Sequence, residues 1–332
     1  QRLRRHVGVY LASRGLVEVR NYPFIGVTDL DAMGLEAGDP RRNTLQLANP
    51  LSDEAPLMRS TLLPGLASAV GRNVSRGFND VALFEMASVS WLWEAPDASA
   101  VGPRVSVAGR PSDAELASLN ALLPEQPLHA GAILTGSLAS SGWWGTAAPV
   151  TWRDAIELVV ALGRELGVQV TVANAQIAPW HPGRCAELSI GDQPFGHAGE
   201  LAPRAASAMG VPARSVAFEF NVDFLIEAAQ STPRAPRVWT YPVAKEDLAL
   251  VVDKATPAAA VSAVIEQAAG ELLEEVRLFD VYEGAQVPEG KKSLAFALRF
   301  RASDRTLEAA EVATARQAVI SAAEAAFGAT LR

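Results

Sequence analysis

The sequence predicts an α+β protein: an antiparallel sheet domain with helices laid on it, followed by a smaller ferredoxin-like domain. Three observations lead there. From residue 17 to residue 230, short runs of strand-forming residues mix with helical ones, which suits a sheet carrying helices. Late in the chain, Leu294, Phe296, Leu298 and Phe300 alternate with Ser293, Ala295, Ala297 and Arg299, so a strand there buries one face. After residue 236 the runs follow one another as β-α-β-β-α-β, a split unit with helices on one face of its sheet and the other face free.

The elements follow in order. Arg2 to Ser13 reads as a helix with Leu3, Val7 and Leu11 on one stripe, and Gly15 is placed to end it. Val17 to Phe24 reads as a strand, and Thr28 as the cap of a short helix stopping near Gly34. Leu45 to Leu47 alternates briefly before the Asn49-Pro50 turn. Leu62 to Arg76 reads as a helix, with Pro64 tolerated in its first turn. Val81 to Trp93 is a strand in which Val81, Leu83 and Glu85 oppose Ala82, Phe84 and Met86. Glu94 to Asp113 is rich in Pro, Ala, Gly and Ser and reads as an exposed excursion. Strands are expected at 128–138, 168–172, 186–190, 193–200 and 215–222, helices at 152–166 and 223–230, and Trp143 and Trp144 fall in a Gly-flanked turn. Beyond Pro236, strands are expected at 247–253, 275–282, 292–301 and 329–332. One helix is expected at 257–269, and a longer one is capped by Thr306, with Glu308 and Glu311 where the helix dipole favours acids. Ser231 to Pro236, with two prolines and no periodicity, is the linker candidate. The domains are therefore expected at 1–232 and 237–332, joined by 233–236. No internal repeat is found.

Size and charge bound the function. With 332 residues the chain is long enough for two cores, and 49% hydrophobic with 20% charged residues is a globular composition. Charges such as Asp154 and Glu157 interrupt every apolar run before it reaches a membrane span. A net charge of -8 excludes a general nucleic-acid coat, and from residue 233 on 12 Lys/Arg face 14 Asp/Glu, so any RNA contact needs a local patch. The single cysteine, Cys185, rules out a disulfide framework and suits a reducing, cytoplasmic location. The chain opens on Gln1 with no signal peptide and reads as a piece of a longer one.

The motifs divide unevenly. Gly290-Lys291-Lys292-Ser293 fails as a phosphate loop, because Lys stands where Ser or Thr is needed and a strand follows instead of a helix. His181, Cys185 and His197 match no standard metal spacing, and Cys185 opens an apolar strand. More specific is the polar turn Asn49-Pro50 feeding Met58-Arg59-Ser60-Thr61 and a helix. Arg59 there suits an interface or scaffold arginine holding carbonyls or carboxylates in its fork, and Asn73 and Arg76 end that helix beside its negative pole. Tyr282 supplies an aromatic ring beside Lys291 and Lys292, and Arg299 and Arg301 lie on the polar side of the next strand; stacking planes beside cations suit single-stranded RNA.

Taken together, NPLSDEAPLMRSTLLPGL, LFEMASVSW, WHPGRCAELSIGDQPFGHAGELAP, YPVAKEDLALVV, LFDVYEG, GKKSLAFALRF and RTLEAAEV resemble, in order, the C-terminal portion of the bacterial phenylalanyl-tRNA synthetase β subunit. The resemblance spans essentially the whole chain. It implies a class II synthetase-like first domain without activity, and a ferredoxin-like anticodon-binding domain after it. It implies as partners a catalytic α subunit in an (αβ)2 heterotetramer and tRNA(Phe), with ATP and Mg2+ used by the whole complex and no cofactor or metal in this chain. Tyr282 would stack on an anticodon base, with Lys291, Lys292, Arg299, Arg301 and Arg305 near phosphates or sugars. Asn49, Pro50, Met58, Arg59, Asn73, Arg76 and Glu85 would serve folding and contact with α. Relatives often carry two arginines before the strand aspartate, where this chain has Lys245-Glu246-Asp247. The rival readings are a stand-alone RNA-binding or scaffold module, separated from the first by co-purification with α, and a free-standing enzyme, separated by ATP–pyrophosphate exchange.

Overall fold

Alternation along the strands of the first half has a direct structural outcome in the computed structural model, which describes residues 1–92, 105, 109–139, 141–229 and 240–332. In β-strands successive side chains face opposite ways, and here each way finds its own apolar layer. The chain divides into two units, Gln1–Pro233 and Arg234–Arg332.

The first unit runs α1 (Arg2–Ser13), β1 (Val17–Glu18), β2 (Phe24–Ile25), α2 (Val27–Ala32), β3 (Leu57–Met58), α3 (Leu63–Val74), β4 (Val81–Ser88), α4 (Asp113–Asn120), β5 (Leu128–Thr135), α5 (Trp152–Glu165), β6 (Thr171–Asn174), β7 (Trp180–Ile190), β8 (Gln193–Leu201), α6 (Pro203–Ala208), β9 (Val216–Asn221) and α7 (Val222–Ala228). Seven strands form one sheet in the order β1-β4-β5-β9-β8-β7-β6. Only the β1–β4 pair in it is parallel. Phe84, Ala130, Ala132, Leu134, Phe218 and Phe220 leave one side to meet α1 and α5 through residues such as Leu11, Leu158 and Leu162. Val81, Leu83, Ile133 and Ala217 leave the other to meet α3 through Leu63, Leu66 and Val70.

The second side also carries charge. Register places Glu85, Gly131, Glu219, His197 and Glu187 abreast on β4, β5, β9, β8 and β7. The segment before α3 crosses this row and supplies donors to it. Arg59 is buried, its Nη1 2.9 Å from Glu85 Oε1 and its Nε donating to the Ser88 carbonyl. Asn21 donates twice more to Glu85, from its backbone N–H and its Nδ2. Thr61 Oγ1–H donates to Glu219 over 2.5 Å, and the Leu62 N–H points at both Glu219 oxygens. Gly131 eases the crossing, because a Cβ there would come within 3.2 Å of Leu62 Cβ and 3.3 Å of Leu66 Cδ1, so those side chains would have to give way by a few tenths of an ångström.

The second unit runs β10 (Ala244–Asp253), α8 (Ala258–Ala269), β11 (Leu273–Tyr282), β12 (Lys291–Phe300), α9 (Ala309–Phe327) and β13 (Thr330–Leu331). Its sheet has the order β11-β12-β10-β13, every pair antiparallel. Leu248, Leu250, Leu294, Phe296, Leu298 and Phe300 pack on Val261, Ile265, Val312 and Val319, so α8 and α9 lie together on one face.

Several local expectations are corrected. The strand expected over 17–24 is two short strands on different sheets, β1 and β2. Gly26, not Thr28, precedes α2, and the Asp29 carboxylate caps it by accepting the Gly26 N–H at 2.8 Å. Glu308, not Thr306, begins α9, with Glu311 accepting its N–H. Leu45–Leu47 contributes one bridge, between Gln46 and Leu57. The helices α4 and α6 were missed, although Ser112 and Glu115 form a capping box and Pro203 opens α6. The linker and most of the excursion lie outside the described residues. No helix among the described residues is long and apolar enough to cross a membrane.

Two outcomes are expected. Arg59→Met leaves Glu85 buried without its cation and lowers unfolding free energy by about 3–5 kcal/mol in urea titration, while Arg59→Met with Glu85→Leu recovers part of the loss. Cys185 is buried, and burial, with Glu187 adding to it, pushes its thiol up to about 12. Iodoacetamide at pH 8 is therefore expected to leave Cys185 unlabelled in the folded protein and to label it in urea.

Candidate nucleic-acid interface

Among the described residues of the second unit, no helix lies on the face of its sheet away from α8 and α9. Its residues follow from register: Lys245, Asp247, Ala249, Val251 and Asp253 on β10, Lys291, Ser293, Ala295, Ala297 and Arg299 on β12, and Glu275 and Arg277 on β11. Simple alternation would then send Tyr282 to the helix side. It does not, because a bulge between Leu278 and Asp280 inserts Phe279 and resets the parity. Asp280 and Tyr282 thereby join the bare face opposite Ala295 and Ser293.

Tyr282 is half-buried. The Arg332 guanidinium lies 4.8 Å from its ring centroid and donates to Gln286 Oε1. Gly284 sits against the hydroxyl end, where an added Cβ would be 2.4 Å from the oxygen. Val251, Ser293 and Val287 are buried at this end yet lie outside the helix-side core, which marks the 284–290 loop as folding over the bare face there. Further along, Lys245, Asp247, Glu275, Arg277, Ala297 and Arg299 line a depression of about 310 Å3.

The expectation of a basic face is corrected by the neighbouring strands. Lys245, Arg277, Lys291 and Arg299 are matched by Asp247, Asp253, Glu275 and Asp280. Arg299 lies 3.4 Å from Glu275 and 3.8 Å from Glu274, and Lys291 3.5 Å from Asp253. Arg299 Nε is buried and makes no hydrogen bond. Lys292 pairs with Val252 and falls on the helix side by parity, so only Lys291 of the two lysines belongs with Tyr282. Arg301 follows β12 and donates from Nε to Glu274 at 3.0 Å. Arg305 is exposed at the entry to α9, where Asp304 and Glu311 hold it, and Glu311 pushes its pKa up. Neither arginine stands free on the bare face.

The scaffold residues separate likewise. Arg59 and Glu85 are interior and act within the fold. Met58 is half-buried on β3, and Asn73 donates from Nδ2 to the Ala69 carbonyl inside α3. Asn49 and Arg76 are exposed and Pro50 half-buried, which leaves them available to a partner surface. Glu219 and His129, which share a 2.9 Å contact beside Thr61, were missed by the sequence reading. A lone Glu in an apolar strand was the available signal, since ionised side chains enter a sheet interior only with partners.

Two families match the chain. Residues 1–222 match the phenylalanyl tRNA synthetase beta chain CLM domain, and residues 240–332 the ferredoxin-fold anticodon binding domain. Among curated relatives, the phenylalanine–tRNA ligase beta subunit of Thermobifida fusca is 53% identical over 336 residues, covering 100% of this chain and 40% of that protein. The beta subunits of Streptomyces avermitilis and Corynebacterium efficiens are 49% and 44% identical, again over 100% of this chain and 40% and 39% of theirs. The chain thus spans well under half the length of these relatives, and across that span it belongs to the phenylalanine–tRNA ligase beta-subunit family.

Proposed function

We propose that this chain is a non-catalytic part of a phenylalanine–tRNA ligase and that its second unit holds the anticodon region of tRNA(Phe). The observation that carries the reading is Tyr282 on the face of a four-stranded sheet away from α8 and α9, flanked by Arg332, with Arg299 on the same face. Unstacked bases gain from an aromatic plane, and single-stranded RNA is read by stacking and edge hydrogen bonds. The first unit braces a catalytic α subunit in an (αβ)2 assembly, and the ATP- and magnesium-dependent attachment of phenylalanine takes place in α. Holding the tRNA at one end fixes its orientation at the other, so binding energy replaces lost rotational freedom.

Because the face is balanced in charge, base contacts outweigh phosphate attraction. In the whole ligase, Tyr282→Ala is expected to raise the Kd for tRNA(Phe) roughly five- to a hundredfold, the range of one lost stacking contact. Tyr282→Trp should retain most of the affinity, and an unchanged Kd in Tyr282→Ala removes the stacking role. Lys291→Ala is expected to change the slope of log Kd against log salt by about 0.7 or less, one single-strand phosphate at most. Titrations from low to moderate salt check this, and a larger change would mean the face acts chiefly through charge.

A further inference from the structure

The first unit presents an aromatic pair to solvent. Trp143 is 94% exposed and Trp144 66%, their rings edge to face with centroids 5.8 Å apart. Large aromatic side chains belong in cores and interfaces, because each can remove roughly 150–250 Å2 from water. Here that surface is turned outward.

The turn that carries the pair is held in one shape. Gly142 and Gly145 exchange backbone hydrogen bonds of 2.9 and 3.0 Å, and Ser141 Oγ accepts the Ala147 N–H at 2.9 Å. The Trp144 ring lies against Gly142, where an added Cβ would come within 2.6 Å of it. At the foot of the turn Ser137 bridges Pro149, and the Ser137 N–H donates to Asp80 Oδ1 at 2.8 Å. The Val150 N–H donates to the Gly136 carbonyl, also at 2.8 Å. Little ordering entropy is then left to lose on contact with a partner. Leu138, at the same foot, joins Val17 and Phe78 in lining a hollow of about 300 Å3, and all three side chains are exposed. Rigid aromatic anchors and an apolar hollow are the parts from which protein contacts gain most.

Charge and area limit the occupant. Residues 136–152 contain no charged side chain, so the phosphates of a nucleic acid find no cation in that stretch. An uncharged protein surface is the complement. This chain covers 40% of the Thermobifida fusca subunit, so the larger part of such a subunit lies outside it. A tethered body works at the high effective concentration its linkage provides, and needs less contact area than a separate one. Covering these five side chains buries on the order of 1,000 Å2 over both partners. Contacts between domains of one chain bury about 600–1,500 Å2, whereas permanent subunit interfaces bury about 2,000 Å2 or more.

We propose that the Trp143–Trp144 turn is a docking knob for the part of the beta subunit outside this chain, which covers the pair with an uncharged apolar surface and fills the hollow at Val17, Phe78 and Leu138. The contact does not depend on tRNA.

Photo-crosslinking in the whole ligase tests it. With Trp143→p-benzoylphenylalanine, irradiation without tRNA is expected to join position 143 to a beta-subunit peptide outside these 332 residues. A cross-link to the catalytic subunit, a cross-link confined to this chain, or none at all overturns the proposal. Hydroxyl-radical footprinting needs no variant. Trp143 is expected to oxidise about tenfold more slowly in the full-length beta subunit than in this chain alone, as for a side chain going from 94% exposed to buried. Equal rates in the two, or protection that comes only when the catalytic subunit is added, overturn it.

Discussion

Glu85 and Glu219 are ionisable groups inside the first unit, and the local geometry is arranged around their need for donors. A carboxylate taken from water costs several kcal/mol unless charge and hydrogen bonds replace what it lost. Arg59 and Asn21 meet Glu85, and Thr61, Leu62 and His129 meet Glu219. Of these, Arg59, Thr61 and Leu62 belong to the one segment that leads into α3. Holding the segment in place sets the start of α3, whose Leu63 and Leu66 then close the apolar layer on that side. A polar constraint thus positions an apolar core.

The second unit is governed by a single inserted residue. Phe279 at the β11 bulge moves Tyr282 from the helix side to the bare face, and Gly284 leaves room for its hydroxyl end. The cations that looked free in the sequence are partnered across neighbouring strands, Arg299 with Glu274 and Glu275, Arg301 with Glu274. The candidate interface is therefore a charge-balanced sheet with an aromatic ring at one end.

Periodicity made most of this legible. The 3.6-residue stripe of α1 and the two-residue alternation of β4 and β12 each follow from burial of one face, and burial is written in residue type. Arg59 also stood out, because a fork of donors beside a helix start has few uses. What escaped was set by partners distant in sequence. Glu219 finds Thr61 158 positions away. The parity change at Phe279 depends on β12, and the neutral balance of the bare face on Glu275 and Asp247 of adjoining strands. Composition-poor segments failed differently, since α4 and α6 bury few residues and show little beyond their caps.

The alignment of Glu85, Glu219, His197 and Glu187 on separate strands also guards against mispairing. A slip of one position in β4 or β9 would turn its carboxylate into the apolar layer of Phe84, Phe218 and Leu162, away from Arg59, Asn21 and Thr61. Misaligned sheets would be rejected for stranding an ion as well as for exposing apolar side chains, a fidelity check that an all-aliphatic sheet would lack.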